Sequence, residues 1–127
     1  MAVLTESIAI FKYFEEISKI PRGSFHEEKI SNYLVEFAKK NKLKYFQDDM
    51  KNVIIYKDGT KGYENHPPVI LQGHIDMVCE KDYDYDHDFD NDPLKLYVED
   101  GYLHAKGTTL GADDGYAISY MLAILES

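Results

Sequence analysis

Tryptophan is absent from the sequence, and cysteine occurs once, as Cys79. A single cysteine excludes a disulfide within the chain and favours a reducing compartment. The first residues contain no basic segment followed by an apolar block, so no secretory signal is predicted there. The longest largely apolar stretch, residues 117–125, is far shorter than the ~20 residues of a membrane-spanning helix. We therefore expect a cytoplasmic protein.

Basic residues are few, since 14 Lys and Arg stand against 23 Asp and Glu and give a formal net charge of −9. Such a chain repels phosphate backbones and anionic lipid headgroups, so we expect no nucleic acid and no membrane among its partners. Acidity also suits a protein that collects divalent cations, although solubility explains it equally well. The 127 residues fit one domain or a part of one.

Two helices are predicted near the start of the chain. Apolar residues between Ile8 and Ile17 form a loose helical stripe, with Thr5 as a candidate N-cap. A second stripe, from Ile30 to Ala38, follows a capping-box pattern at residues 24–27. Asn41 is predicted to close this helix in the left-handed conformation.

Strands dominate the middle of the sequence. Short apolar runs predict strands at 43–47, 53–56, 94–98 and 102–105. Asp100-Gly101 is a strong hairpin signal between the last two. The continuous apolar run Val69–Leu71 predicts a strand buried on both faces, and Tyr116 to Leu125 predicts a final helix. Helices, strands and a helix in this order predict an α/β or α+β fold with a mixed sheet.

His74 and Asp76 directly follow the predicted buried strand and Gly73. Two residues apart in extended chain, their side chains project to the same side. A carboxylate can accept the N–H of an imidazole, which fixes the tautomer and leaves the other nitrogen free for a metal. The alternative is a hydrogen-bonded histidine at a strand end. A Ser-His-Asp catalytic arrangement is disfavoured because no serine lies on a recognisable nucleophile turn.

Asp113 and Asp114 lie in the glycine-rich segment 107–115, at the start of the final helix. A carboxylate has two oxygens and can bridge two cations about 3.5–4 Å apart. Alternatively, one of the two residues caps the helix. A phosphate-binding loop is disfavoured, because the segment lacks the G-K-[ST] of a P-loop and the spacing of a dinucleotide fingerprint.

Aspartate occupies every second position from Asp82 to Asp92. Such a pattern could indicate a calcium-binding loop. An EF-hand loop starting at Asp84 would need glycine and glutamate where Phe89 and Lys95 stand. We therefore predict a solvated, charged loop or edge strand. Four further histidines have no ligand-like partners at useful spacing and are predicted to be surface or structural residues: His26, His66, His87 and His104.

Taken together, the segments 73–78 and 107–115 closely resemble two motifs of the M20 metallopeptidases. The nearest branch is that of the cytosolic aminoacyl-histidine dipeptidases. Residues 20–24 and 26–28 are similar to the N-terminal segment of that branch, and 87–89 with 92–94 also match it. The resemblance spans nearly the whole chain.

The resemblance implies a fold and a set of site residues. Residues 1–127 would form the N-terminal portion of a three-layer α/β catalytic domain, in which helices pack on a mixed, mostly parallel sheet. His74 matches a ligand of one metal, and Asp76 matches the carboxylate that orients this histidine and belongs to the catalytic set. Asp113 matches the ligand that bridges two divalent metals, with zinc as the first choice and manganese or cobalt as alternatives. Asp114 follows Asp113 across a peptide bond that is cis in the family.

The resemblance also implies a function for a longer parent protein. The remaining ligands, a glutamate general base and a lid and dimerisation domain would lie beyond Ser127, so this chain alone is expected to be inactive. The parent would be a homodimer that hydrolyses small peptides, above all dipeptides ending in histidine, through a water activated by two metals. Alternatives are a tripeptidase or deacylase of the same family, or a non-catalytic metal-binding or interaction module.

Overall fold

The computed structural model describes residues 2–127. Along the chain lie α1 (Ala9–Ser18), α2 (Glu28–Lys40), β1 (Lys44–Gln47), β2 (Val53–Tyr56), β3 (Leu96–Glu99), β4 (Tyr102–Ala105) and α3 (Ala112–Glu126). This mixture of helices and strands confirms the predicted α/β class. The sheet differs in detail, since the strands form two separate antiparallel pairs, β1 with β2 and β3 with β4, in place of a mostly parallel sheet.

The core lies between the three helices, where α1 and α2 each turn an apolar side towards α3. Its buried members are Tyr13, Ile17, Ile30, Leu34, Phe37, Ile118 and Leu122. The ring of Tyr13 on α1 meets that of Phe37 on α2 edge-on, with centroids 5.5 Å apart. Each fully buried Ile or Leu contributes roughly 1.5–3 kcal/mol. The final helix is thus packed against the first. The start of α3 therefore lies near the segment that contains His74.

Both predicted helix starts are wrong by a few residues. The N-cap of α1 is Ile8 rather than Thr5, whose hydroxyl pairs with that of Ser7. The N-cap of α2 is Glu27 rather than Ser24. A tight turn replaces the capping box, because Phe25 has a positive φ of 69° and its N–H donates to Glu27 Oε1 over 2.7 Å. The hydroxyl of Ser24 is thereby free to contact another part of the chain.

The C-terminal end of α2 also differs from the prediction. Asn41 has φ −92° and is not left-handed, whereas Lys42, the next residue, has φ 56°. The Asn41 side-chain amide instead donates to the carbonyl of Phe37 over 2.9 Å. This carbonyl also accepts the backbone N–H of Asn41 over 3.0 Å, so the side-chain bond reinforces the last turn of the helix.

The predicted buried strand at Val69–Leu71 is not formed. The three side chains are 84%, 86% and 54% exposed, and no strand of residues 2–127 pairs with this segment. A strand buried on both faces needs neighbours on either side, and the described chain supplies none. Nor does any helix in the described chain have the length and apolar character needed to cross a bilayer.

Candidate metal centre

The imidazole of His74 lies between two carboxylates. Its Nδ1 is 2.9 Å from Asp76 Oδ1, and its Nε2 is 3.0 Å from Asp113 Oδ1, although Asp113 lies 39 residues further along the chain. The structure therefore brings the three predicted site residues together. Asp76 is placed to accept the Nδ1–H, so that Nε2 faces Asp113 and can donate to it or, once deprotonated, bind a metal.

Ser24 extends this arrangement by one residue that the sequence did not single out. Its hydroxyl donates to Asp76 Oδ2 over 2.5 Å, so both oxygens of that carboxylate are engaged. The hydrogen bond from Ser24, followed by that with His74, lowers the pKa of Asp76. The hydrogen bond with Asp113, supported by Asp76, raises the pKa of His74. Each shift favours the charged form of the group concerned.

The start of α3 presents the Asp113 carboxylate to solvent and to His74. Gly111 precedes it in the left-handed conformation, with φ 73°, and Asp113 itself has non-helical angles of φ −93° and ψ 100°. The peptide bond between Asp113 and Asp114 is cis, as the resemblance implied. The Asp113 side chain is 96% exposed, so its second oxygen is accessible.

Asp114 has a different role from its neighbour, because its side chain points towards Gly73. A Cβ placed on Gly73 would come within 2.7 Å of Asp114 Oδ2. The glycine before His74 therefore leaves space for the second aspartate. The histidine segment can therefore lie close against the start of α3.

His74 and Asp113 fit two neighbouring ligands of one metal ion. Ligands on a tetrahedral zinc at 2.0–2.1 Å are about 3.3 Å apart, close to the 3.0 Å between Nε2 and Oδ1. Imidazole nitrogen with carboxylate oxygen also suits zinc, and manganese accepts such oxygen ligands. Within residues 2–127 no three His, Cys, Asp or Glu side chains converge as a complete ligand set. The described residues therefore include two side chains with the separation of neighbouring metal ligands, but no complete ligand set.

The remaining histidines lie outside this centre. His104 stacks on Tyr97 with ring centroids 5.0 Å apart, and His66 lies tilted against Tyr63. His26 lines a cavity of about 360 Å³ together with Cys79, a thiol whose pKa is raised by burial. In the acidic segment, Asp88 accepts from the Asp90 N–H and from the Asn91 amide, which makes a self-contained turn.

Comparison with known proteins places these features in context. No family model matches the chain. The chain is 41% identical to the cytosol non-specific dipeptidase of Escherichia coli (strain K12) over 116 residues, which are 91% of this chain and 24% of that protein. Its fold matches the crystal structure of aminoacylhistidine dipeptidase from Vibrio alginolyticus with a TM-score of 0.90 and 43% identity, over 94% of this chain and 24% of that one.

The chain thus spans about a quarter of the length of either relative. The matches in sequence and in fold extend over nearly all of its own residues. The chain is homologous to the corresponding segments of these two dipeptidases.

Proposed function

We propose that the protein carrying this chain hydrolyses dipeptides with the help of two divalent metal ions, zinc first and manganese or cobalt as alternatives. The observation that supports this proposal is the position of the His74 imidazole, with Asp76 on one nitrogen and Asp113 3.0 Å from the other. A histidine held in one tautomer by a carboxylate is the arrangement that metal-binding imidazoles use. The similarity to two dipeptidases gives the reaction class.

In this mechanism the residues of the chain bind and orient. When bound, the two metals would polarise the scissile carbonyl and make a water nucleophilic at neutral pH. Asp76 keeps the proton on His74 Nδ1, so that Nε2 stays available as a ligand. Asp113 has one oxygen facing His74 and a second accessible oxygen, which suits a bridging carboxylate.

The names of the two relatives indicate different substrate specificities. One is called non-specific and the other acts on aminoacyl-histidine. We propose dipeptides, with Xaa-His among the favoured substrates, and a homodimeric cytoplasmic protein. A tripeptidase or deacylase of the same family would reveal itself by preferring tripeptides or acylated amino acids over dipeptides.

The test is a hydrolysis assay of the protein at its natural length. Dipeptides with and without C-terminal histidine, a tripeptide and an acylated amino acid are compared before and after removal of metal by a chelator. We expect dipeptide turnover that stops with the chelator, returns with zinc, and falls at least a thousandfold in His74→Ala. His66→Ala, at an exposed histidine remote from the centre, is the control and should keep full activity. Chelator-resistant turnover would refute the metal mechanism.

The absence of a complete ligand set within residues 2–127 favours a second candidate for this segment alone, a non-catalytic metal-binding module. We expect the isolated 127-residue chain to bind zinc weakly and to hydrolyse no dipeptide, because a zinc site needs three or four protein ligands. Calorimetric titration with zinc and the same assay measure this. Turnover of an Xaa-His dipeptide by the isolated chain would contradict it.

A further inference from the structure

Arg22 is the largest of the fully buried side chains, with only 2% of its surface exposed. In the sequence it lies between α1 and α2. Its backbone runs beside the segment that carries His74. Its carbonyl accepts the Met77 N–H over 2.9 Å, and Gly23 forms a parallel bridge with Met77. The start of the Arg22 side chain is therefore fixed close to Asp76.

The guanidinium group joins two segments that are distant in sequence. Its Nη2 donates to the carbonyl of Gly111 over 2.7 Å. Its Nη1 donates to the carbonyls of Ile75 and Asp76 over 3.4 and 3.3 Å. One nitrogen thus holds the loop before Asp113, and the other holds the segment after His74. A planar, rigid fork is the geometry that such a two-sided contact requires.

Two glycines leave the space that the guanidinium occupies. A Cβ on Gly111 would lie 2.5 Å from Nη2 of Arg22, and a Cβ on Gly115 would lie 2.7 Å from the same nitrogen. These glycines stand on either side of Asp113 in the chain. Glycine is therefore required in this loop for a steric reason as well as for the positive φ of Gly111. Any side chain at Gly115 would displace Arg22.

The free-energy cost of burying a charge argues against a role for Arg22 in core packing alone. Within the described residues no ion pair joins it to a carboxylate, and burial lowers its pKa. Taking a charge out of water is costly unless the charge is hydrogen-bonded, and an apolar side chain would fill the same space at lower cost. Arg22 offsets part of this cost through three carbonyls, which belong to the two segments of the candidate centre, while its Nε has no partner among the described residues.

We propose that Arg22 is a positioning residue, which sets the separation of His74 and Asp113 by tying the carbonyls on either side of the centre to one guanidinium group. This inference rests on the proposed function insofar as the two residues bind metal. It concerns the geometry of the centre, and it is testable with and without metal.

Two variants test the role in the protein at its natural length. Arg22→Lys keeps the charge but loses the fork, and Gly115→Ala keeps every donor but pushes a methyl group against the guanidinium. We expect each to weaken Co²⁺ binding, measured by competition with a chromophoric chelator, by about 10–100-fold. The visible spectrum of bound Co²⁺ should change as well. Leu34→Ala, in the helical core, is the control: it should lower the melting temperature but leave affinity and spectrum unchanged.

Crystal structures of both variants without metal give the second measurement. We expect the distance from His74 Nε2 to Asp113 Oδ1 to grow beyond hydrogen-bonding range. Wild-type distance and Co²⁺ affinity in both variants would overturn the inference, as would an equal loss of affinity in Leu34→Ala. If Arg22→Lys does not fold, Gly115→Ala decides. Wild-type protein that binds no Co²⁺ would count against the proposed function. The distance from His74 Nε2 to Asp113 Oδ1 in the metal-free structures would still test the role of Arg22.

Discussion

The Asp76 carboxylate is held from two sides, by Ser24 on one oxygen and His74 on the other. A carboxylate with only one partner can rotate about its bond to Cβ, and the imidazole that it orients would then turn with it. Ser24 removes this freedom. The serine is thus a structural support for the ligand, although it touches neither His74 nor Asp113.

We therefore predict that Ser24→Ala weakens metal binding roughly 10-fold, the lower end of the effect expected for an outer partner of a ligand. The cause is a less fixed Asp76, and competition titration with zinc measures it. Ser24→Thr keeps a hydroxyl at this position and should restore most of the affinity. Equal affinities in the alanine variant and the wild type would show that Asp76 needs no second partner.

Sequence alone predicted the residues with distinctive chemistry and missed those that support them. His74, Asp76 and Asp113 stood out because their patterns allow a metal site as well as a structural role, and the resemblance to the M20 metallopeptidases implied the metal site. Ser24 and Arg22 carry no such pattern, since their roles depend on contacts with residues more than 50 positions away. Only the match of residues 20–24 to the family indicated that this segment mattered.

At the scale of elements, the hairpin signal was reliable and the helix-cap signals were not. The β3–β4 hairpin turns at Asp100 and Gly101, which have φ of 53° and 80°. Two successive positive φ values form the type I′ turn that an Asp-Gly pair predicts. The start of α2, in contrast, depends on where the Ser24 hydroxyl finds its acceptor, and no local pattern contains that information.

The hairpin turn gives a prediction for stability. Nothing lies within 4 Å of a Cβ added to Gly101, so Gly101→Ala would change only the backbone energy. Alanine in the left-handed region costs about 1–2 kcal/mol, and we expect a loss of about that size from the free energy of unfolding in urea. Gly101→Asn should cost less, because asparagine tolerates this conformation. Equal losses in the two variants would contradict the explanation.

The contact between α1 and α2 predicts a dependence on alkaline pH. The Tyr33 hydroxyl donates to Glu16 Oε2, and burial, followed by this hydrogen bond, raises the pKa of Tyr33. A tyrosine in the unfolded chain ionises near pH 10, whereas Tyr33 in the folded chain keeps its proton. The folded state then binds more protons, so stability is complete below about pH 10 and falls as the pH rises further.

Chemical denaturation at a series of alkaline pH values tests this dependence. Tyr33→Phe should flatten the decline above about pH 10, without abolishing it, because burial also raises the pKa of Tyr13. Tyr102→Phe, at a tyrosine that is 73% exposed, should leave the decline as in the wild type. A decline of the same slope in both variants would contradict a special role for Tyr33.

At the scale of the whole molecule, the chain combines a buried helical core with an apolar segment that no other part of residues 2–127 covers. Val69 and Ile70 are more than 80% exposed, and Val78 is 67% exposed. Exposed apolar residues scattered singly are ordinary, but a contiguous group marks a contact surface or a liability to aggregate. The prediction of a buried strand here was sound for its composition and failed because burial depends on neighbours that residues 2–127 do not provide.

This leads to a prediction for the 127-residue chain studied by itself. The unpaired backbone and apolar side chains of residues 69–71 offer an edge on which a second chain can pair, so we expect concentration-dependent association in analytical ultracentrifugation. Ile70→Lys places a charge on this edge and should shift the chain towards monomer. Tyr83→Lys makes the same change to the net charge of −9 at a fully exposed residue outside the segment. If both variants reduced association equally, general charge rather than the exposed edge would be its cause.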